Sequence, residues 1–376
     1  MFRGLAALWL IMAIGLCGCQ KSPEQGQDDQ KTQGVDRVDY DTLSEDELEV
    51  LAYDNDLQAQ IKLANRYDYG TVEKGQDFHL AFTWYQKAAE NGSPEAMTAL
   101  GYLYLNGMTG ESDKETAITC FEEALQAGYT DAAIGIARTY LSGYRGEEQE
   151  EDVNTVVFRY VSQAYEKKTV QGVYYMAYCL EEGMGTETDT DKAIALYQQV
   201  VEEKDLSIYD AYLPNAAYTR LGMIYAKGKG GKQDYELARE AFKKAADDGY
   251  AMAQYYLGML YENGLGMDRD HATAYEWYKK AADQNYAPAL NQIGYLYYNG
   301  YGVDADMEQA LYYQKLAAMQ GYAAAQVNLG YLYENGIGVE KNLKTALAYY
   351  QLAAAQEQEG AKEAVQRVSR LLNEEE

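Results

Sequence analysis

Apolar side chains between residues 250 and 285 recur at the spacing of two helices. Ala253, Leu257 and Leu260 lie on one face of a helix, since they follow one another at i, i+4 and i+7. A second apolar stripe begins at Ala274, after a glycine-containing segment. The pattern therefore predicts a helical hairpin, made of a first helix, A, and a second helix, B.

The same hairpin pattern recurs along the chain at a fixed interval. Gly222, Gly258, Gly294 and Gly330 follow one another at intervals of 36 residues. Three consecutive segments between residues 250 and 357 have nearly the same sequence. A repeat of this size predicts a solenoid, in which each unit packs against its neighbours.

Two classes of glycine recur in these units. One class ends helix A, where a residue without a Cβ atom adopts the left-handed capping conformation. Its members are Gly264, Gly300 and Gly336. The other class lies in the middle of helix A, where glycine costs about 1 kcal/mol relative to alanine, and we interpret it as a site of close approach between helices A and B. Its members are Gly101, Gly222, Gly258, Gly294 and Gly330.

The consensus of these units resembles the Sel-one-like repeat (SLR) family, a group of tetratricopeptide-like α-solenoids. In the unit that begins at Tyr286, the residues that match the family pattern are Ala289, Ile293, Gly294, Tyr297, Gly300, Gly302, Val303, Ala310, Tyr313, Ala317, Ala318 and Gly321. The resemblance is specific in three consecutive units and weaker elsewhere. It implies a scaffold or adaptor, because SLR proteins serve in envelope assembly, secretion, polysaccharide export and signalling.

The repeats predict an all-α fold, an α-solenoid of about eight antiparallel helical hairpins that form a right-handed superhelix. The solenoid is expected over residues 47–358. Regular repeats are predicted at 93–128, 209–249, 250–285, 286–321 and 322–357, and degenerate repeats at 47–92, 129–168 and 169–208. Residues 359–376 have an apolar stripe with charge opposite, so we expect a capping helix that covers the last apolar face and completes the chain.

Residues 1–18 have the pattern of a signal peptide. Arg3 precedes an apolar run that is too short for a stable membrane-spanning helix, and small residues lead from the run to a cysteine. The tetrad LCGC, which ends at Cys19, resembles the bacterial lipoprotein signal. The resemblance implies that cleavage leaves Cys19 as a lipid-modified N-terminus. An ordinary secretory signal with a nearby cysteine is the alternative.

The residue after Cys19 indicates to which membrane we expect the lipoprotein to be attached. Gln20 stands where lipoproteins retained at the inner membrane tend to have Asp. The resemblance therefore implies attachment to the outer membrane of a bacterial envelope, with the protein facing the periplasm. Residues 19–46 are polar and lack a helical stripe, which predicts a disordered tether next to the lipid anchor.

The chain is strongly acidic, with 59 Asp and Glu against 32 Lys and Arg and a formal net charge of −27. That balance opposes nucleic-acid binding, which needs basic side chains. It favours either solubility or a basic partner. The 39 Tyr, against 6 Phe and 3 Trp, suit thin helical layers near water and serve either core packing or an aromatic binding surface.

Candidate catalytic residues are scarce. The histidines of the chain are His79 and His271, both in predicted B helices of distant repeats, which opposes a histidine-based triad or metal site. Cys120 and Cys179 are expected to be buried thiols rather than a disulfide. We therefore predict a protein that is not an enzyme, with no catalytic residue, cofactor or metal. An envelope hydrolase with paired carboxylates is a third hypothesis, since carboxylates are abundant.

The irregular middle of the chain holds extra loop residues. An acidic segment after Arg145 is a candidate partner-binding loop, because insertions in repeat proteins map to loops that often bind partners. Its candidate contact residues are Glu147, Glu148, Glu150, Glu151 and Asp152. The alternative is that a degenerate repeat tolerates a longer surface loop.

These patterns together predict an envelope lipoprotein that binds another envelope protein along its curved surface, as a scaffold or adaptor. The alternative is a glycan-binding protein that holds peptidoglycan or an exported polysaccharide on a Tyr-rich face. Tyrosines on the solvent side of successive A helices favour the glycan. Tyrosines confined to positions between helices favour the protein partner.

Overall fold

The computed structural model of the chain describes residues 38–71, 75–146, 151–207 and 210–375. Within these ranges it contains eighteen α-helices, one short 3-10 helix and no β-strand. The predicted signal peptide, Cys19 and the loop residues Glu147, Glu148 and Glu150 lie outside the described residues. The α-helices are α1 (Glu45–Tyr53), α2 (Leu57–Tyr69), α3 (Phe78–Glu90), α4 (Pro94–Asn106), α5 (Lys114–Gln126), α6 (Ala132–Leu141), α7 (Val153–Glu166), α8 (Val170–Glu182), α9 (Thr190–Glu202), α10 (Leu213–Lys227), α11 (Tyr235–Asp247), α12 (Ala251–Asn263), α13 (His271–Asp283), α14 (Ala287–Asn299), α15 (Met307–Met319), α16 (Ala323–Asn335), α17 (Leu343–Ala355) and α18 (Ala361–Glu375).

The helices form eight consecutive hairpins, from α2–α3 to α16–α17, in which each even-numbered helix is an A helix and the next helix is its B helix. This arrangement confirms the predicted all-α fold of repeated helical hairpins. The chain divides into two compact units, residues 1–214 and 215–376. The first unit holds α1 to α9, and the second holds nearly all of α10 and the helices from α11 to α18.

The ends of the hairpin helices are set by short capping sequences. Helix α12 ends at Gly264, whose φ of 66° is in the left-handed region. Helix α13 begins after Asp270, whose carboxylate accepts a hydrogen bond of 3.0 Å from the backbone N–H of Thr273. The B helices that begin after a capping side chain of the same kind follow Asp77, Asp113, Asp152, Asp189, Asp234, Asp306 and Asn342.

Helices A and B cross at the central glycine of helix A. A Cβ atom on Gly258 of α12 would lie 2.9 Å from ring carbons of Tyr278 in α13. A Cβ atom on Gly330 would approach Tyr350 in the same way, at 2.7 Å. Real Cβ atoms do not approach a ring this closely, so glycine lets each aromatic ring pack against the backbone of helix A.

Buried glutamines join one hairpin to the next in the second unit. Gln254 of α12 is 4% exposed, and its amide donates to the carbonyl oxygen of Ala246 at 3.1 Å. Gln284, which follows α13, donates to Gln254 Oε1 at 2.9 Å and to the Gly249 carbonyl oxygen at 2.8 Å. These bonds satisfy a polar group inside the stack and fix the register of neighbouring repeats.

The terminal helices cover the apolar faces of the hairpins beside them. Leu48 of α1 is fully buried, and α1 begins at Glu45, within the last residues of the predicted tether. At the other end, Val368 of α18 is fully buried beside Tyr350 of α17. Among the described residues, we find no helix that is both long enough and apolar enough to span a membrane.

Candidate functional site

In several hairpins, a tyrosine of helix B pairs with the helix A residue four positions after the central glycine. The Tyr278 hydroxyl donates to the Glu262 carboxylate at 2.6 Å. The Tyr350 hydroxyl donates to Glu334 at 2.8 Å, and Arg367 of α18 donates to both oxygens of Glu334 at 2.8 and 2.7 Å. A buried hydroxyl therefore meets a carboxylate that satisfies it.

The first unit has the same pairing. The Tyr197 hydroxyl of α9 donates to Glu181 of α8 at 3.0 Å, and Tyr85 of α3 donates to Asp68 of α2 at 3.1 Å. Burial raises the pKa of Asp68 to about 6, and the hydrogen bond from Tyr85 opposes that rise. The carboxylate is thus a recurring partner of a tyrosine at this position.

Phenylalanine at the same position faces an apolar residue. Phe121 of α5 packs in one cluster with Leu105 of α4, and the residue opposite Phe242 of α11 is Ala226 of α10, which packs in the same cluster. A ring without a hydroxyl therefore has no carboxylate opposite it. The two positions vary together along the chain, because a buried carboxylate without a donor would be costly.

The hairpin α14–α15 departs from both arrangements. Gln314 stands where the hairpins on either side place the ring, and Tyr298 stands where Glu262 and Glu334 stand. Gln314 is 4% exposed and donates to the carbonyl oxygen of Asn291 at 3.0 Å. Because a glutamine side chain is smaller than a tyrosine ring, this hairpin lacks the ring that fills its neighbours.

A groove of about 200 Å³ opens at this position in the second unit. It is lined by Gly294, Tyr295, Tyr298, Ala310, Gln314, Asn328, Tyr331 and Leu332. Gly294 and Gln314 are the glycine and ring positions of the hairpin, so the groove occurs where the neighbouring hairpins have a buried aromatic contact. Its walls are largely apolar, with a few polar groups.

The polar groups in the groove are held by a chain of side-chain amides. Asn328 donates to Asn291 Oδ1 at 2.9 Å and approaches Gln314 Oε1 at 3.4 Å. Asn291 donates to Gln292 at 3.1 Å, and Gln292 donates to Glu262 at 3.1 Å. The amide orientations are therefore fixed before any ligand enters.

Exposed tyrosines surround the groove. Tyr295 and Tyr331 follow the central glycines of two successive A helices, α14 and α16, and are 41% and 48% exposed. Tyr301 continues this aromatic surface beyond the end of α14, with its ring stacked on His271 at 4.9 Å. Residues 286–341 contain five acidic and two basic side chains, so the surroundings are acidic.

The structure assigns local roles to the described residues of the predicted partner loop. Glu151 accepts a hydrogen bond of 2.9 Å from Arg159, and Asp152 caps α7 by accepting from the Thr155 N–H at 3.2 Å.

The sequence analysis did not identify the groove residues Tyr298 and Gln314. The available signal was the break in the 36-residue period at these two positions, where the neighbouring units have Glu and Tyr.

The described residues offer little nucleophilic or metal-binding chemistry. In that part of the chain, no group of three or more His, Cys, Asp or Glu side chains is placed to hold a metal ion. Burial raises the pKa of the Cys120 thiol to about 11 and that of Cys179 to about 12, so both remain protonated near neutral pH. His79 lies in α3 and His271 in α13.

The family model described as Sel1 repeat matches seven segments of the chain. They are residues 57–93, 94–129, 170–203, 215–250, 251–286, 287–322 and 323–357. The segments contain seven of the eight hairpins and leave out α6–α7, which belongs to the repeat predicted as degenerate at 129–168. Together, the seven matched segments cover well over half of the chain.

Solved structures with the same repeat have low sequence identity to the chain. A Sel1 repeat protein from Oxalobacter formigenes is 22% identical over 96% of this chain and 99% of its own, with a TM-score of 0.52. A protective antigen of uropathogenic Escherichia coli strains, which displays an SLR fold, is 22% identical over 88% of this chain and 91% of its own, with a TM-score of 0.30. An immunity protein from Pseudomonas aeruginosa is 20% identical over 60% of this chain and 81% of its own, with a TM-score of 0.43. No curated protein matches the chain in sequence. The first of these similarities supports the fold alone.

Proposed function

We propose that this chain, which belongs to the Sel1 repeat family, is a protein-interaction scaffold whose groove between α14, α15 and α16 receives a segment of a partner protein. Sel1 repeat proteins generally act as scaffolds for protein–protein interaction. The observation that supports this site is the missing ring at Gln314, which leaves a tyrosine-lined groove where the hairpins on either side have a buried ring. The scaffold needs no chemical step of its own.

The groove suits an aromatic side chain of the partner. Such a ring would enter the groove beside the Gln314 side chain, which itself packs against Gly294 of helix A. Tyr295 and Tyr331 would contact it from the two flanking A helices, and buried aromatic contacts of this kind dominate the binding energy of many interfaces. The acidic surroundings favour a partner segment with basic residues beside the aromatic one.

The cell envelope is the proposed location. The lipoprotein-like signal that ends at Cys19 supports a lipid anchor, and Gln20 supports the outer membrane, with the folded chain in the periplasm. The partner is then another envelope protein. These proposals rest on the sequence, since residues 1–37 lie outside the part of the chain that the structure describes.

A glycan is the second candidate ligand, and a specific observation favours it. Tyr295 and Tyr331 are exposed at equivalent positions of successive A helices, which is the arrangement expected of a sugar-binding face. The amides of Gln314 and Asn328 lie beside them in the groove. Aromatic faces flanked by amides suit peptidoglycan or an exported polysaccharide, because sugars combine apolar ring faces with hydroxyl groups.

A crosslinking pull-down from membranes tests the scaffold. The tagged intact chain is compared with the double variant Tyr298→Glu/Gln314→Tyr, which rebuilds the pair of the neighbouring hairpins and fills the groove. The matched control is Tyr312→Ala, since Tyr312 is 54% exposed on α15 and does not line the groove. A chain lacking residues 147–150 tests the predicted loop in the same assay.

We expect one envelope protein to be enriched with the intact chain and with Tyr312→Ala, and to be lost with the double variant. Enrichment that the double variant retains would remove the groove from the proposal. Recovery of glycan fragments in place of a protein would replace the scaffold with the glycan-binding candidate.

A further inference from the structure

Arg138 is a partly buried cation on α6 of the first unit, and it makes no ion pair within the part of the chain that the structure describes. The chain has 59 acidic residues against 32 basic ones, so a cation without an acidic partner is unexpected. Its guanidinium carbon lies 4.8 Å from the ring centre of Tyr102 on α4. Stacking on a ring satisfies the face of a guanidinium but leaves its N–H donors for other partners.

Hydroxyl groups surround this guanidinium. The buried Tyr102 hydroxyl has no hydrogen-bond partner among the described residues other than the Arg138 guanidinium itself. Tyr175 of α8 is 1% exposed and interacts electrostatically with Arg138, as does Tyr212, which precedes α10. Burial raises the pKa of Tyr102 to about 12, so its hydroxyl is neutral near pH 7 and is able to donate a hydrogen bond.

Acceptor atoms without a donor occur nearby, since Tyr102 interacts electrostatically with Asp131, and Asp131 does so with Asp210, the hydrogen-bond partner of Gln171. Asp131 Oδ1 and Gln171 Oε1 are both buried without a partner in the described ranges. The Gln171 amide nitrogen donates to Asp210 at 2.9 Å, which fixes the orientation of its oxygen. Asp131 precedes Arg138 by seven residues, about two helical turns, so the two residues lie on the same face of this segment.

We propose that Arg138 and the Tyr102 hydroxyl bind the carboxylate of a ligand whose neighbouring amide N–H meets Gln171 Oε1 or Asp131 Oδ1. The ligand class is an N-acylated α-amino acid, either as a small molecule or as the free C-terminus of a peptide. Its carboxylate matches the planar fork of a guanidinium, which binds two oxygens at once. A single negative charge is preferred over a phosphate, because Asp131 and Asp210 are close to the site and repel a second charge.

This site is separate from the tyrosine-lined groove. It lies on α4, α6 and α8 of the first unit, whereas the groove lies on α14, α15 and α16 of the second unit. Each site has its own ligand chemistry and its own variants. Failure of one proposal therefore leaves the other unaffected.

Titration calorimetry with the full chain purified in detergent tests the carboxylate site. The probes are N-acetylalanine, its neutral carboxamide, N-acetyl-trialanine and inorganic phosphate at matched ionic strength. We expect N-acetylalanine to bind in a saturable manner, and the carboxamide and phosphate to bind roughly tenfold more weakly or not at all, since a charge-assisted hydrogen bond is lost or a second charge is repelled. Tighter binding of N-acetyl-trialanine supports a peptide C-terminus, and equal binding supports a small molecule.

Three variants test which residues bind the carboxylate of N-acetylalanine. Arg138→Gln should weaken N-acetylalanine binding by roughly tenfold or more, whereas Arg159→Gln, which removes an exposed arginine, should not change it. Tyr102→Phe should weaken binding several-fold and change the melting temperature little, because the hydroxyl has no partner other than Arg138 in the free protein. If Arg138→Gln fails to fold, as judged by circular dichroism, Tyr102→Phe decides the question alone.

Any of three results overturns the proposal. The first is equal binding of N-acetylalanine and its carboxamide, because the site would then not recognise a carboxylate. The second is an unchanged affinity in Tyr102→Phe together with an unchanged affinity in a folded Arg138→Gln. The third is the absence of any saturable binding of N-acetylalanine.

Discussion

At the scale of single residues, a hairpin with an aromatic ring in helix B depends on the residue opposite that ring. A tyrosine there needs a carboxylate, as Glu262 provides for Tyr278, because a buried hydroxyl without a partner is costly. A phenylalanine needs an apolar surface, as Phe121 has beside Leu105. The glycine beneath the ring is a second requirement, since it sets how closely the two helices approach.

The first prediction concerns Gly258→Ala. Alanine gains about 1 kcal/mol of helix propensity, but its Cβ atom would lie 2.9 Å from the Tyr278 ring and 3.2 Å from the Ala274 carbonyl oxygen. Overpacking of this kind costs about 1–3 kcal/mol, and the ring is held in place by Glu262, so we expect net destabilisation. The measurement is the urea midpoint by circular dichroism.

Gly110→Ala is the control for that substitution. Gly110 has open space around its Cα atom and no positive φ, so alanine fits without strain. We expect its urea midpoint to equal or slightly exceed that of the unmodified chain. Equal midpoints for the two variants would show that the ring yields and that close packing does not require Gly258.

The second prediction concerns Arg367, which bonds both oxygens of Glu334. Hydrogen bonds from Arg367, and then from Tyr350, hold the pKa of Glu334 below its ordinary value of 4.5 against the opposing effect of burial. A lowered folded-state pKa contributes stability that is full above about pH 4.5 and is lost as the pH falls below it. Arg367→Gln should therefore cost about 1–2 kcal/mol at pH 7 and less at pH 3.

Urea midpoints at the two pH values measure this difference. Arg370→Gln is the matched control, because Arg370 is an exposed arginine on the same helix. Its midpoint should stay close to that of the unmodified chain at both pH values. A cost of Arg367→Gln that is the same at pH 3 as at pH 7 would argue against the ion pair with Glu334.

At the scale of elements, the hairpin is the repeating unit, and α14–α15 differs at its ring position from the hairpins on either side. Its neighbours α12–α13 and α16–α17 fill the space between helices with a tyrosine paired to a glutamate. In α14–α15 a buried amide replaces the ring and a groove opens. The local structure remains a helical hairpin because the capping residues Gly300 and Asp306 are kept.

The third prediction is a double-mutant cycle in this hairpin. Tyr298→Glu alone introduces a carboxylate without a donor, and Gln314→Tyr alone introduces a hydroxyl without a carboxylate. Together they rebuild the pair of the neighbouring hairpins, so we expect a favourable coupling of about 1 kcal/mol or more between them. The double variant should melt above both single variants in circular dichroism. Additive effects would mean that α14–α15 does not accept the arrangement of its neighbours.

At the scale of the whole molecule, the proposed role depends on where the chain is held. The chain has a formal net charge of −27, and the groove has acidic surroundings, so a basic partner is attracted. A lipid anchor would confine the search for that partner to the membrane surface. The two compact units then offer separate sites, the groove in the second and the proposed carboxylate site in the first.

The fourth prediction concerns Cys19. Cys19→Ala should abolish incorporation of a labelled fatty acid and release the protein from the membrane fraction, because several acyl chains are needed for stable anchoring. Cys17→Ala is the matched control, since the lipoprotein resemblance places Cys17 in the removed signal peptide. Labelling that persists in Cys19→Ala, or that disappears in Cys17→Ala, would contradict the assignment of the anchor.

The sequence by itself determined the fold class, because repeated helices are set by local chemistry. Glycines such as Gly264 and capping residues such as Asp270 act within one turn of their own helix, and the 36-residue period repeats them along the chain. The apolar stripe of each helix predicts which face is buried. These features depend on neighbours a few residues away, and a sequence displays such neighbours directly.

Only the tertiary structure decided where the candidate sites lie, because each site depends on residues that are distant in sequence. The sequence does not distinguish Gln314 until Gly294 and Tyr331 are placed beside it, and Arg138 is one arginine among several until it stacks on Tyr102. The groove exists because no aromatic ring fills the space between two helices. Arg138 is unpaired because packing brings no acidic side chain of the described residues beside it. Such absences are set by packing in three dimensions, so the sequence pattern alone left them unassigned.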